Sequence, residues 1–405
     1  MLSVQDARER ILSHFARLPA ETVALLEAQG RILADDVAAD EDVPPFANSS
    51  MDGYAVRAAD VLSTPCRLPV SGDIPAGKAP AALAPGTAMR IMTGAPIPVG
   101  CDAVVPVEDT DDQRASGHGQ PPPPFVTIQR APAQGDNVRG AGQDVARGAC
   151  VLGAGARLGP AALGVLAALG NASVTVVRRP RVALLSTGDE LVPVTVRPGP
   201  GQIRDINAYT LGASLREAGA EVIGLGIARD VQADVEARLM QARDLGADLV
   251  LSSAGVSVGT YDVVKTVVEA HGELGFWKVN MRPGKPLAFG RVFDRPFIGL
   301  PGNPVSALVG LEVFVRPVVA RLLGQRWAPR AVSAYLAKPY HSDGRETYLR
   351  VRLIDDPAGF LAELTGAQTS NLITSMVRAD ALLIVPAGVT HVPAGAPLTA
   401  WMLDR

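Results

Sequence analysis

Carboxylates stand repeatedly at the ends of apolar runs in this chain. STGDEL supplies Asp189 and Glu190, GQIRDIN supplies Asp205 and Asn207, and SSAGVSVGTYD ends on Asp262. FWKVNMRPGKP carries the cations Lys278, Arg282 and Lys285. If FWKVNM is a strand, its two-residue period puts Lys278, Asn280 and Arg282 on one face, with Lys285 in the next turn. Acids and cations at one place suit a polyanion bound through a divalent ion, above all Mg²⁺, which prefers carboxylates and phosphates. A solvated edge explains the lysines equally simply.

Two glycine-punctuated stretches could present backbone amides to that anion. In GLPGNPVS, Gly302 allows a tight turn, Asn303 is a favoured N-cap and Pro304 suits the first helical position, which opens a helix N-terminus outward. Alone, the stretch is as well read as an ordinary cap. SSAGVSVGTYD is neither GxGxxG nor GxxxxGK[ST], so no nucleotide fingerprint can be read from it. Its small residues, Ser252, Gly255, Ser257 and Gly259 among them, would still let amides approach a phosphate. Further polar residues stand nearer the N-terminus. NSSMDGYA has Asp52 before Gly53, a common hairpin turn; RIMTGAPIP has Thr93; AVVPVEDT has Glu108, Asp109 and Thr110. GDNVRGAGQD has Arg139 and Asp144, for which a salt bridge across a hinge is the competing explanation. The five histidines lie outside all these stretches and no Ser/His/Asp or Cys/His set stands out, so covalent catalysis is disfavoured.

The elements that must position these residues are numerous. A chain of 405 residues exceeds what one core organises, which implies two to four domains. A hydrophobic fraction of 47% with 20% charged residues excludes disorder of the whole, and a net charge of −3 leaves no polybasic field for nucleic acid or an anionic membrane. Cys66, Cys101 and Cys150 are an odd number without CxxC or neighbouring histidines, as expected of thiols in a reducing compartment. MLSVQDARERILSHF is too charged for a signal peptide, and PAALGVLAALG is too short and glycine-broken to span a membrane. The expectation is a soluble, cytoplasmic protein.

Helical spacing over residues 3 to 17, and again in TVALLEAQGRILADDV, predicts an all-helical start, with GPAALGVLAALG packing back on it. Short apolar runs broken by Pro and Gly to about residue 140 predict a β-rich barrel or sandwich, interrupted by the exposed loop DDQRASGHGQPPPP. From Arg181 strand and helix alternate: RVALLST, INAYTLGASLREAG, EVIGLGIA, VQADVEARLMQARDLG, DLVLSS, TYDVVKTVVEAHG, FWKVNM, PFIGL, then one long helix in NPVSALVGLEVFVRPVVARLLG. That alternation implies a largely parallel sheet with helices on both faces, whose ligands bind beyond the carboxyl ends of the strands. The expected fold is multidomain α/β: a helical linker domain at 1–44 and 145–178, an inserted β-rich module at 45–144, the parallel α/β domain at 179–326 and a C-terminal β domain at 327–405.

NSSMDGYA, RIMTGAPIP, AVVPVEDT, NVRGAGQD, LLSTGDEL, SSAGVSVGTYD, VNMRPGKP and GLPGNPVSA, in this order, resemble the motif series of the MoeA-type molybdopterin molybdenumtransferases, the family that includes the E domain of gephyrin. Any one motif is weak, whereas eight in order are specific, and the domain order extends the resemblance over essentially the whole chain. It implies that molybdate is inserted at the dithiolene of adenylylated molybdopterin with release of AMP, in a Mg²⁺-dependent reaction of an elongated homodimer. The cleft would then lie between the molybdopterin-binding sheet domain of one subunit and the β module of the other, with Asp52 reaching across. Carried over by motif, Asp52, Thr93, Asp144, Glu190, Asp205 and Asp262 are catalytic positions, the last three of them also metal-binding. Asp189, Ser252, Gly255, Ser257, Gly259, Lys278, Arg282, Lys285, Pro301, Gly302, Asn303, Pro304, Arg139 and Ser375 are pterin- or phosphate-facing positions. The chain departs from the family pattern at Ala254, where a second glycine is usual, at Arg282, where lysine is frequent, and at Ile206, where a small polar residue is common. Ala254 is expected to restrict the loop slightly while adding only a methyl. The rival readings are a molybdopterin adenylyltransferase, which the sheet domain resembles and which could also be a partner, and a non-catalytic scaffold of the gephyrin kind.

Overall fold

Four apolar runs, Arg181–Thr187, Glu221–Ala228, Leu249–Ser253 and Arg295–Leu300, lie side by side as parallel strands in the computed structural model, which describes residues 1–112, 121–254, 263–357 and 359–403. Their spatial order is 221–228, 181–187, 249–253, 295–300. Helices Asn207–Glu217, Gln232–Asp244 and Val263–Ala270 make the connections, and each buries one stripe at helical spacing: Leu211 and Leu215; Val235, Leu239 and Ala242; Val264, Val267 and Val268. The stripes of helices 232–244 and 263–270 meet Ala183, Leu185, Val250 and Phe297 of the sheet in one core. Parallel strands covered by helices are apolar on both faces, which is why RVALLST and DLVLSS read as continuous runs.

Two expectations fail at the far edge of this sheet. FWKVNM is not one strand: Gly272–Lys278 ends at Lys278, and Met281–Arg282 belongs to a different sheet. The two-residue period therefore does not carry Lys278 and Arg282 onto one face. PLAFGRV, not expected as a strand, forms Pro286–Val292, antiparallel to both 272–278 and 295–300. Its hairpin turns on Phe293 and Asp294, at φ 47° and 63°, which matches the twist of the flanking strands without the usual Asn-Gly signature. NPVSALVGLEVFVRPVVARLLG is a continuous helix in three segments, Pro304–Gly310, a π-turn at Leu311–Val315 and Arg316–Leu322.

The C-terminal strands close on themselves. Glu346–Asp356 pairs with Gly359–Leu364 and with Ala381–Val385, and the circuit returns through Ala331–Leu336 and Pro397–Met402. Closure leaves no edge, and Leu336, Leu349, Val351 and Leu383 fill the interior. Met281–Arg282 adds parallel to the start of 346–356.

The chain forms two compact units, Met1–Glu21, Gly30–Ile32 and Thr175–Arg405 in the first, Thr22–Gln29 and Leu33–Val174 in the second. The second holds a five-stranded sheet in the order Ala103–Pro106, Gly53–Val56, Ala88–Ile91, Cys66–Ile74, Phe125–Ile128. The start of the chain is not all-helical. Val4–Leu12 is a helix, but TVALLEAQGRILADDV gives the strand Ala20–Ala24, a 3₁₀ turn at Leu25–Ala28 and a short strand Val37–Ala38. Burial in 20–24 alternates with a period of two, and that pattern wins over the helical propensity of the leucines. Residues 113–120 of the expected loop lie outside the described residues.

Candidate active site

The strand order dictates where chemistry can occur. After strand 181–187 the chain turns through Gly188 to Asp189 and Glu190, and the short strand Leu191–Val192 pairs in parallel with Ile203–Arg204. That pairing, extended by the Ile203 N–H to Glu190 O and the Asp205 N–H to Val192 O, fixes the segment carrying Glu190 against the one carrying Asp205. Asp205, 5% exposed, accepts the Ala208 N–H at 3.1 Å and so caps the helix that begins at Asn207. Gly188 has φ 143° and lies under the Glu190 carboxylate, which a methyl at 188 would overlap.

These acids, Asn207, Ser253, Gly302, Asn303 and Asn371 line one cavity of about 870 Å³. The Asn207 amide donates to the Gly302 carbonyl at 2.8 Å, tying the 207 helix start to the 301–304 turn, while its Oδ1 is buried without a partner among the described residues. A buried amide oxygen left unsatisfied is costly, so it marks a place where a donor or cation is wanted. Among the described residues no three His, Cys, Asp or Glu side chains form a closed metal cage. Two carboxylates and an amide oxygen do fit Mg²⁺, which keeps waters and shares its shell with substrate phosphates.

The helix start at Pro304 is less open than expected. Asn303 occupies the N-cap position but its side chain makes no capping bond, Pro304 has no N–H, and the Val305 N–H donates to the Ser370 carbonyl at 3.1 Å. The 370 loop thus takes a donor that the sequence reading left to an anion.

The other candidates of this unit stand off the cavity wall among the described residues. Asp189 accepts the Asp230 N–H at 3.2 Å, and burial together with the charges of Asp189 and Glu190 raises the Asp230 carboxyl above its ordinary range. The Ser252 hydroxyl is buried and donates to the Ala254 carbonyl, and Pro301 precedes the turn. Lys278 and Lys285 meet at one end of the 272–278/286–292 ladder, where the Val279 N–H donates to Lys285 O; both are exposed and neither has a carboxylate partner among the described residues. Arg282 lies on the barrel side, 3.4 Å from Asp343. Gly255, Ser257, Gly259 and Asp262 lie outside the described residues.

Ser375 leads to a residue the sequence reading missed. Its hydroxyl donates to Leu372 O at 2.6 Å and accepts from Arg350 Nε at 3.2 Å. Arg350 is 1% exposed in strand 346–356, and its guanidinium also donates to the Thr369 and Ala367 carbonyls. Burial, with repulsion from Arg282, draws it down to about 10, so it stays charged at neutral pH, and no carboxylate pairs with it among the described residues. Arg350 therefore pins the 367–371 loop, whose Ser370 carbonyl takes the Val305 N–H and whose Asn371 lines the cavity. The only signal in ETYLRVRL is an arginine between two apolar residues of a buried strand.

In the second unit Asp52 and Thr93 are joined as a pair: the Thr93 N–H and hydroxyl donate to Asp52 Oδ1 at 2.6 and 2.8 Å. Arg139 pairs with Asn48 across strands Asn48–Ser49 and Val138–Arg139, and the Asp144 N–H bonds Val43 O. Both side chains are exposed, with no salt bridge between them among the described residues.

This architecture agrees with the comparisons. Residues 2–170 match the family described as the MoeA N-terminal region (domain I and II), residues 183–321 that of a probable molybdopterin binding domain, and residues 333–403 the MoeA C-terminal region (domain IV). Molybdopterin molybdenumtransferase 2 of Mycobacterium tuberculosis is 40% identical, with 100% of both chains covered. Molybdopterin molybdenumtransferase of Haemophilus influenzae is 38% identical over 98% of each. Among solved structures, the molybdopterin biosynthesis MoeA protein from Pyrococcus horikosii superposes with a TM-score of 0.83 at 32% identity, covering 100% of both chains. The chain belongs to the MoeA family of molybdopterin molybdenumtransferases.

Proposed function

We propose that this chain inserts molybdenum from molybdate into adenylylated molybdopterin with release of AMP. One observation carries the reading: loops at the carboxyl ends of the parallel strands converge on one cavity with Glu190, Asp205 and the unpartnered Asn207 Oδ1. Mg²⁺ held by these oxygens would supply charge neutralisation at the adenylyl phosphates. Lys278 and Lys285, free of carboxylates among the described residues, would attract the phosphate chain with Arg282, while Arg350 would hold the 367–371 loop in place. Asp205 is oriented by its cap and Glu190 by the turn at Gly188, so both stand ready without reorganisation. Asp52 and Thr93 form a second polar pair that we assign to the same reaction. The work is positional and electrostatic rather than nucleophilic.

The protein is proposed to act in the cytoplasm as a homodimer, receiving its substrate from a molybdopterin adenylyltransferase. Among the described residues no helix is long and apolar enough to cross a membrane. An adenylyltransferase activity of this chain is not favoured, because relatives matched from end to end are molybdenumtransferases.

The test is AMP release from adenylylated molybdopterin with Mg²⁺ and molybdate. Wild type should release AMP, and Glu190→Gln should lower the rate about a hundredfold while remaining folded. Release no faster than without enzyme would sink the reading.

A further inference from the structure

Outside this site, two histidines face each other across the short antiparallel pair Tyr340–His341 and His391–Val392, where His341 and His391 are direct register partners. His391 Nδ1 lies 3.2 Å from His341 Nε2, the ring centroids are 4.7 Å apart, and both residues are exposed. We propose that this pair chelates a divalent transition-metal ion of the Cu²⁺, Ni²⁺ or Zn²⁺ type.

The geometry carries the argument. Two imidazole nitrogens about 2.0–2.1 Å from one tetrahedral ion stand about 3.3–3.4 Å apart, close to the separation already present. The nitrogens now share a proton, one ring donating and the other accepting; an ion takes the place of that proton, using a lone pair from each neutral ring. Cross-strand register holds the rings together before any metal arrives. The strand pair is tied further by the Ser342 N–H to Thr390 O and the Gly388 N–H to Gly344 O, so little order is lost on binding.

The ligand set also defines what binds. Imidazole prefers borderline ions, with copper strongest, and has little affinity for Mg²⁺, so this site is chemically separate from the oxygen-lined cavity. Asp343 lies nearby in sequence, but its carboxylate is engaged by Arg345 and Arg282. Among the described residues no third His, Cys, Asp or Glu completes the set, and water fills the remaining positions. The expected behaviour is a labile, exposed two-nitrogen site.

Titration of chelator-treated, full-length protein with Cu²⁺, followed by electron paramagnetic resonance, tests this. Wild type should take up one exchangeable ion per chain with splitting from two nitrogens. His341→Ala and His391→Ala should each weaken that binding about tenfold or more, because a chelate becomes a single ligand. His271→Ala, which removes the separate His271–Glu236 pair at 3.0 Å, should leave it unchanged. If an alanine variant does not fold, His341→Gln and His391→Gln, which retain hydrogen bonding, carry the comparison. Binding unchanged in the His341 and His391 variants, or a spectrum with one nitrogen, overturns the proposal.

Discussion

Ala254 shows what a single residue can hide. It sits at φ 92°, in the region that favours glycine, and a Cβ added at Gly302 would stand 3.3 Å from its methyl. In the sequence the substitution amounts to one methyl; on the backbone it is a strained residue at the end of strand 249–253, and no residue type reveals φ. Left-handed backbone costs an L-residue about 1–2 kcal/mol, partly offset by the greater freedom of glycine in the unfolded chain. Ala254→Gly should therefore raise stability by about 0.5–1 kcal/mol in urea denaturation, and a loss of stability would show that the loop is not strained there. Arg350 was hidden for the opposite reason. A buried guanidinium within ETYLRVRL leaves no trace in composition or spacing, because what makes it notable is that no carboxylate pairs with it among the described residues, a property of the folded neighbourhood.

At the scale of elements, the parallel strands and their helices were legible because each carries its own period: continuous apolar runs for 181–187 and 249–253, a 3.6-residue stripe for the helices. The 286–292 strand was not, since its hairpin uses Phe293-Asp294 where glycine or asparagine would announce a turn. The same misreading joined Lys278 to Arg282. In the folded chain Arg282 and Arg345 instead flank Asp343, and Arg345 above all, then Arg282, hold that carboxyl at about 2, below its usual 3.8. A depressed folded value means the carboxylate stabilises the protein above the unfolded value, and that this contribution is lost as pH falls from about 4 to about 2. Asp343→Asn should thus be less stable than wild type at neutral pH, by no more than about 1 kcal/mol since the group is half-exposed. The gap should close as the pH is lowered through that window. Denaturant midpoints measured at pH 7, 4 and 2 decide it, and a gap that persists at pH 2 would mean the pair is not the cause.

At the scale of the molecule, the motif series identified the family before any element was placed, because eight short signatures in fixed order constrain the chain more than any one of them. The homodimer rests on that resemblance alone, since no patch in the sequence, PAALGVLAA included, announces an interface. Pro160–Ala168 carries no charge, yet only Leu166 of it is buried, and Leu26 in the neighbouring 3₁₀ turn is 83% exposed. A helix apolar all round normally lies inside a protein, and a second copy of this chain would supply the missing cover. Each large apolar side chain transferred from water to such an interface contributes about 1.5–3 kcal/mol. Replacing Leu26 and Val165 together by glutamate would forfeit two such contributions and bury charge, enough to raise the dimer dissociation constant more than about a hundredfold. Sedimentation velocity at micromolar concentration should show a dimer for wild type and a monomer for Leu26→Glu/Val165→Glu, with unchanged circular dichroism. A variant that remains dimeric would place the contact elsewhere on the surface, and a monomeric wild type would remove the homodimer from the proposal.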